Sequence, residues 1–167
     1  MNMSPLEPGS VCPDFALRDQ HGRTVVLSEF AGRPVVLVFY PWAFSRVCSG
    51  ELSALQQLLP RFQELEASLL AISCDPMFSL RAYAETDGLE FPLLSDHWPH
   101  GGIARNYGVF DEENGAARRS TYVVAADGKI SWAVHNPLGT ARDPEEYLSV
   151  LAELRSGNEF GSVCRGG

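Results

Sequence analysis

No stretch of this 167-residue chain approaches the run of about 18 apolar residues that would cross a bilayer. The amino-terminal MNMSPLEPGSV lacks both the basic and the apolar region of a secretory signal, so none is expected, and the cytoplasm is the expected compartment. Basic charge is also short: 13 Lys and Arg against 21 Asp and Glu leave a formal net charge of −8. Such a balance repels a phosphate backbone and counts against a nucleic-acid partner. Cysteines are few, at positions 12, 48, 74 and 164, with no Cys-x-x-Cys pair and no Cys/His cluster of zinc-ligand spacing. A zinc site is therefore unsupported, and in a reducing cytosol the four are expected to be thiols rather than bridges. Internal repeats and low-complexity segments are absent as well.

What is present is enough apolar material for one core. Hydrophobic residues make up 45% and charged residues 20%, in a chain of one-domain length. We read residues 1–156 as a single domain and 157–167 as a flexible tail carrying Cys164. DFALRD and TVVLSEF flank the turn-prone Gln20-His21-Gly22 and predict an amino-terminal hairpin. PVVLVFY, residues 34–40, is a continuous β-branched apolar run, the signature of a central strand buried on both faces. Leu52, Leu55, Leu58, Leu59, Phe62 and Leu65 then recur at helical spacing, with Pro60 expected to kink or interrupt the helix. SLLAIS predicts a second buried strand, FSLRAYAET a helix, FPLLSD a short strand and the region of Ile103 to Tyr107 a short helix. STYVVAADGKISWAVH predicts a hairpin about Asp127-Gly128. Asp143, Pro144 and Glu145 supply a cap, a first-turn proline and an acidic first turn for a last helix through about Arg155. Strands alternating with helices, followed by a hairpin, imply an α/β fold: a mixed central β-sheet flanked by helices.

Cys48 falls where the central strand hands over to the following helix, the place in such sheets where reactive groups collect. In the first turn of a helix, unpaired backbone N–H groups and the helix dipole favour an anion, so its thiol is expected to ionise more easily than usual. Arg46 is a possible further positive charge, or a solvated side chain. A thiolate so placed is equipped for nucleophilic attack, whereas a merely packed cysteine would need no such setting.

The spacing Pro41-x-x-x-Ser45-x-x-Cys48 resembles the active-site signature of the peroxiredoxins: proline, three residues, threonine or serine, two residues, cysteine. The resemblance extends over nearly the whole chain, through VCPDFALRDQHG, FPLLSD, YGVF and RSTYVVAADGKI. FSRVCSGEL with FPLLSDHWPHGG is most similar to the one-cysteine branch typified by alkyl hydroperoxide reductase E. The resemblance implies a thioredoxin-like fold with an added amino-terminal hairpin. It also implies a thiol-dependent peroxidase that reduces hydrogen peroxide or organic hydroperoxides through a cysteine sulfenic acid, without metal, haem or flavin. Partners are a peroxide substrate, a thiol or redoxin reductant, and a second copy of the chain in a homodimer or higher oligomer.

By the same resemblance Arg119, rather than its neighbour Arg118, is the guanidinium that contacts thiolate and peroxide, because it keeps the register of the Arg-x-Thr pattern. A forked guanidinium suits that double duty. Pro41 shields the sulfur, Ser45 offers a hydroxyl that both donates and accepts, and Thr121 offers another further away. Glu51 and Arg142 match supporting members of the arginine network, and Trp42 and Phe44 match the pocket wall and dimer contact. Ser45 departs from the usual threonine, which loses a methyl and frees the hydroxyl rotamer.

The sulfenic acid must meet another thiol before it over-oxidises. Cys74, at the end of SLLAIS, is expected to be buried and to pack, and nothing specific marks Cys12, which is expected to be partly exposed. Cys164 lies in FGSVCRGG, which resembles the tail segment carrying a resolving cysteine, with Arg165 where a proline is common. Resolution by Cys164 and reduction by an external thiol or redoxin both stand. Two other readings compete: a disulfide-exchange protein, which the missing Cys-x-x-Cys counts against, and a non-peroxidase thioredoxin-fold redox sensor.

Overall fold

The most apolar run of the sequence becomes the central strand of the sheet. In a computed structural model, which describes residues 4–165 with side chains through Gly157, strand β3 spans Val35–Phe39 and every residue of it is buried. It pairs in parallel with β4, Ser68–Ser73, and antiparallel with β8, Arg119–Val124. Burying each such Val, Leu or Phe side chain is worth about 1.5–3 kcal/mol, which is why this run rather than another takes the centre. The other strands are β1 (Ala16–Arg18), β2 (Thr24–Val26), β5 (Leu93–Ser95) and β9 (Ile130–Asn136), and the seven-stranded order is β2-β1-β5-β4-β3-β8-β9. Strands β3, β4 and β5 form a parallel core, and an antiparallel hairpin extends it on either side. The expected mixed sheet with an added amino-terminal hairpin is therefore present.

That hairpin is joined to β5 by a single residue pair, Arg18 with Ser95. Gln20 extends the ladder with its side chain: buried, its amide donates to the Phe91 carbonyl (3.0 Å) and accepts the Leu93 N–H (2.8 Å). The amide thus satisfies two backbone groups that no strand reaches. At the other hairpin, Gly128 takes φ +84° in the turn between β8 and β9, a conformation that favours glycine.

Alternation along the strands divides the core in two. Val36, Val38, Tyr40 and Val123 face α1 (Arg46–Glu64), α2 (Met77–Asp87) and α4 (Pro144–Arg165), in a cluster that includes Cys48. Val35, Leu37, Phe39, Tyr122 and Val124 face the other way, with Phe15, Tyr107 and Cys74. The short helix α3, Gly102–Asn106, contributes Ala104 to that second face.

The structure corrects several local expectations. Leu27–Phe30 is a turn of 3₁₀ helix rather than the end of a strand, with Leu27 the residue it buries. Helix α1 continues through Pro60 to Glu64. Pro60 faces solvent, where a carbonyl released from the helical ladder is hydrated, so the missing N–H does not end the helix. A small hairpin, β6 (Phe110–Asp111) with β7 (Ala116–Ala117), was not anticipated; its DEENGA connection carries no alternating apolar signal. Helix α4 extends to Arg165 instead of stopping near Arg155, since neither Gly157 nor Gly161 ends it. The side chains of 158–167, and with them the expectation for Cys164, lie outside the described residues.

Candidate active site

The chain leaves β3 through Tyr40 and Pro41, turns, and enters α1. Ser45 donates its N–H to the Trp42 carbonyl (3.4 Å), closing a four-residue turn in which Phe44 adopts φ +68°. A left-handed phenylalanine where glycine is preferred costs about 1–2 kcal/mol, so the turn is held by its surroundings. The Phe44 ring packs on Tyr83 with centroids 4.9 Å apart, and Ala43 N–H donates to Asp75 Oδ2 (2.9 Å). Ser45 is the N-cap of α1: its Oγ accepts the backbone N–H of Cys48 at 3.3 Å. That bond uses the hydroxyl as an acceptor and leaves its proton free to donate into the site. Cys48 sits three residues into the helix, its side chain wholly buried.

The register of the sheet brings the arginine to the cysteine. Phe39 pairs with Ser120, so Arg119 lies one residue beyond the pairing, beside the point where β3 ends. Its Nη1 donates to Cys48 Sγ (3.3 Å) and to Glu51 Oε1, while Nε and Nη2 both donate to the Leu138 carbonyl (2.9 and 2.7 Å). Glu51, one turn along α1 from Cys48, is the hub. It also accepts from Arg142 N (2.6 Å), Nε (2.8 Å) and Nη2 (2.9 Å). Arg142 Nη1 completes the cage by donating to the Phe39 carbonyl (2.7 Å) and Thr121 Oγ1 (3.0 Å). All three charged side chains are nearly removed from solvent.

Two guanidiniums around one carboxylate leave a buried positive charge uncompensated, and Cys48 Sγ is the atom that meets it. Burial raises the Glu51 carboxyl, but the hydrogen bonds and charge of Arg142, joined by Arg119, outweigh it and hold the group below its ordinary value. Burial lowers Arg119, and its contacts with Cys48 and Glu51 more than reverse this, so it is held firmly protonated. The sulfur therefore lies within hydrogen-bond reach of a guanidinium that keeps its charge.

The structure thus brings Ser45, Cys48, Glu51, Arg119 and Arg142 into one hydrogen-bonded cluster, with Pro41 buried in the segment that leads from β3 to it. Arg119, not Arg118, makes the contact with Cys48; Arg118 is half-buried and Arg46 is exposed. Thr121 does not face the site as a free hydroxyl: it is buried, accepting from Arg142 and bonded to the Tyr147 hydroxyl (2.8 Å). Trp42 and Phe44 are 39% and 54% exposed at the rim. Cys74 is buried on the opposite face of the sheet, and Cys12 is half-buried near the Asp127-Gly128 turn, its N–H donating to the Gly128 carbonyl. Sequence reasoning missed Leu138, which acts through its carbonyl, and Asp75, Tyr83 and Tyr147. Backbone acceptors leave no trace in residue type, Tyr83 and Tyr147 sit in helices read only for packing, and Asp75 lies in the link between β4 and α2.

A sulfur at a helix start, capped by a hydroxyl and paired with a buried arginine on a thioredoxin-like sheet, defines the class of thiol-dependent peroxidases. A model of the AhpC/TSA family matches residues 8–133, and the chain belongs to that family, the peroxiredoxins. It is 43% identical over 150 residues to alkyl hydroperoxide reductase E of Mycobacterium tuberculosis, covering 89% of this chain and 98% of that protein. Against peroxiredoxin 1 of Brugia malayi the identity is 30% over 171 residues, covering 96% and 74%. The crystal structure of Enterococcus faecalis AhpC superposes with a TM-score of 0.85 at 31% identity, covering 95% of this chain and 97% of that one. The protein is a peroxiredoxin, reducing hydroperoxides through a peroxidatic cysteine with a thiol as reductant. No helix among the described residues is long and apolar enough to cross a membrane.

Proposed function

We propose that Cys48 is the peroxidatic cysteine and that Pro41, Ser45, Arg119, Glu51 and Arg142 form its working environment. The observation that carries this reading is the 3.3 Å contact from Arg119 Nη1 to the sulfur at the start of α1. The thiolate attacks one peroxide oxygen: an S–O bond forms, the O–O bond breaks, and the second oxygen leaves as hydroxide or alkoxide and takes up a proton. Sulfur is oxidised by two electrons and the peroxide is reduced. Arg119 faces the sulfur and so also the oxygens in line with it, and the free proton of Ser45 steadies the oxygen that gains charge. Pro41, buried and without an N–H, closes the site against water. Glu51 and Arg142 fix the guanidinium and do not touch the peroxide.

The resulting sulfenic acid condenses with a second thiol, with loss of water, and a further thiol reduces the disulfide. That second thiol is Cys164 or an external small thiol or redoxin. Cys74, across the sheet from Cys48, is not placed to serve. Residues 1–156 form the working domain, the chain acts as a homodimer with Trp42 and Phe44 at its contact, and it acts in the cytoplasm.

Stopped-flow mixing of the reduced protein with hydrogen peroxide tests the reading. One equivalent is consumed rapidly, and Cys48→Ser abolishes the fast phase. A fast phase that survives Cys48→Ser would move the chemistry to another cysteine. Mass analysis of Cys164→Ser after one turnover separates the two recycling routes.

A further inference from the structure

We propose that Asp75 is a positioning residue for the rim of the thiol site. Its carboxylate holds the Trp42–Ser45 turn in the conformation that puts Ser45 over Cys48. The inference rests on the assignment of Cys48 as the peroxide-reacting sulfur. Asp75 follows the carboxyl end of β4, next to β3 in the sheet. Its Oδ2 accepts two bonds: Ala43 N–H at 2.9 Å and the Ser73 hydroxyl at 2.7 Å. The Asp75 backbone carbonyl in turn accepts the Ser95 hydroxyl (2.6 Å), so the residue is anchored to the ends of two strands, by its side chain at β4 and its backbone at β5. The turn it grips has a left-handed phenylalanine and a long closing bond of 3.4 Å, neither of which keeps it in shape unaided.

The ground beneath the turn is polar and buried. The Tyr40 hydroxyl is wholly inside, with no hydrogen-bond partner among the described residues. Tyr83, packed on Phe44, bonds through its hydroxyl to Ser49 in the first turn of α1 (3.2 Å). Asp75 therefore ties to the sheet the same turn that Tyr83 ties to the helix. Moving Ala43 would swing Ser45, two residues on, away from the line between the sulfur and an incoming peroxide. A misplacement of this kind slows reactions that depend on alignment and spares those that need only a reactive sulfur.

The test compares two reactions of the same thiol in the full chain. In Asp75→Ala, the second-order rate constant for hydrogen peroxide falls about tenfold, while the iodoacetamide alkylation rate of Cys48 changes by less than about threefold. Asp75→Asn, whose amide oxygen still accepts the Ala43 N–H, recovers the peroxide rate to within about threefold of wild type. Equal peroxide rates in Asp75→Ala and wild type would overturn the inference, as would a matched fall in both reactions that Asp75→Asn shares. Hydrogen exchange on the wild-type protein tests it independently of whether Asp75→Ala folds: the Ala43 amide is protected, and exchange at the rate of an open loop would refute the tether. A wild-type protein whose fast peroxide phase persists in Cys48→Ser would instead remove the underlying site assignment.

Discussion

Replacing Glu51 by glutamine tests whether the buried cage holds the site together. The carboxylate accepts four bonds, one from Arg119 and three from Arg142, at 5% residue exposure. An amide keeps one acceptor oxygen but turns an NH₂ group toward the guanidinium donors, leaving two cations without a counter-charge. Breaking one partner out of a buried ion pair costs about 3–5 kcal/mol, against about 5–15 kcal/mol for a whole domain. At about 2–4 °C per kcal/mol for a chain of this size, the melting temperature should fall by roughly 6–20 °C at pH 7, measured by calorimetry. The pH dependence supplies a second reading. The folded Glu51 carboxyl lies below its ordinary value of 4.5, so its stabilisation is complete above that pH and is lost as pH falls through the folded value. The gap between wild type and Glu51→Gln should therefore be steady near neutrality and close below about pH 4.5. A melting temperature within 2 °C of wild type at pH 7, as an order-of-magnitude threshold, or a gap that widens in acid, would refute the reasoning.

Arg119→Met keeps the length of the side chain and removes the donors, and should slow the peroxide reaction by about 10²–10³-fold in stopped-flow measurements. A loss below about tenfold would assign the charge at Cys48 to the helix alone. Labelling should sort the other thiols: burial, outweighing a hydrogen bond with Tyr107, pushes Cys12 up to about 11, and burial with the charge of Asp96 pushes Cys74 up to about 12. At pH 8 their thiolate fractions are then about 10⁻³ and 10⁻⁴, so mass spectrometry should find Cys12 alkylated before Cys74, with Cys74→Ser retaining peroxide consumption.

The parts of this protein legible in the sequence are those encoded by residue type at fixed spacing. A five-residue all-buried strand must be apolar throughout, and the Pro41-Ser45-Cys48 spacing survives because a strand end, a cap and a first helical turn are consecutive in the chain. Arg119 and Glu51 were also within reach, each being a fixed step from a recognisable pattern. Thr121 was misplaced because its role depends on which face of β8 it shares with Arg142 and Tyr147, a matter of register and not of type. Pro60 does not interrupt the helix: its local cost is real, yet the apolar face carrying Leu52, Leu55 and Phe62 continues past it and decides the helix. Asp75 was invisible because it acts across 32 positions, on a backbone N–H.

The same side chain thus acquires different chemistry from the elements around it. Cys74 follows β4 and Cys48 lies in the helix that follows β3, only 26 positions apart, yet they fall in the cores on opposite faces of the sheet. On one side burial and the charges of Asp96 and Asp75 outweigh an Ala117 backbone hydrogen bond and Arg105 and penalise the Cys74 thiolate; on the other the sulfur meets a helix start and an arginine. Burial alone does not distinguish them, because Cys48 is the more buried of the two. Under the proposed assignment, what sets Cys48 apart from Cys74 is a source of fixed positive charge at the sulfur. That source is the Arg119–Glu51–Arg142 cage, assembled from a helix, a strand end and a loop that only the completed fold brings together.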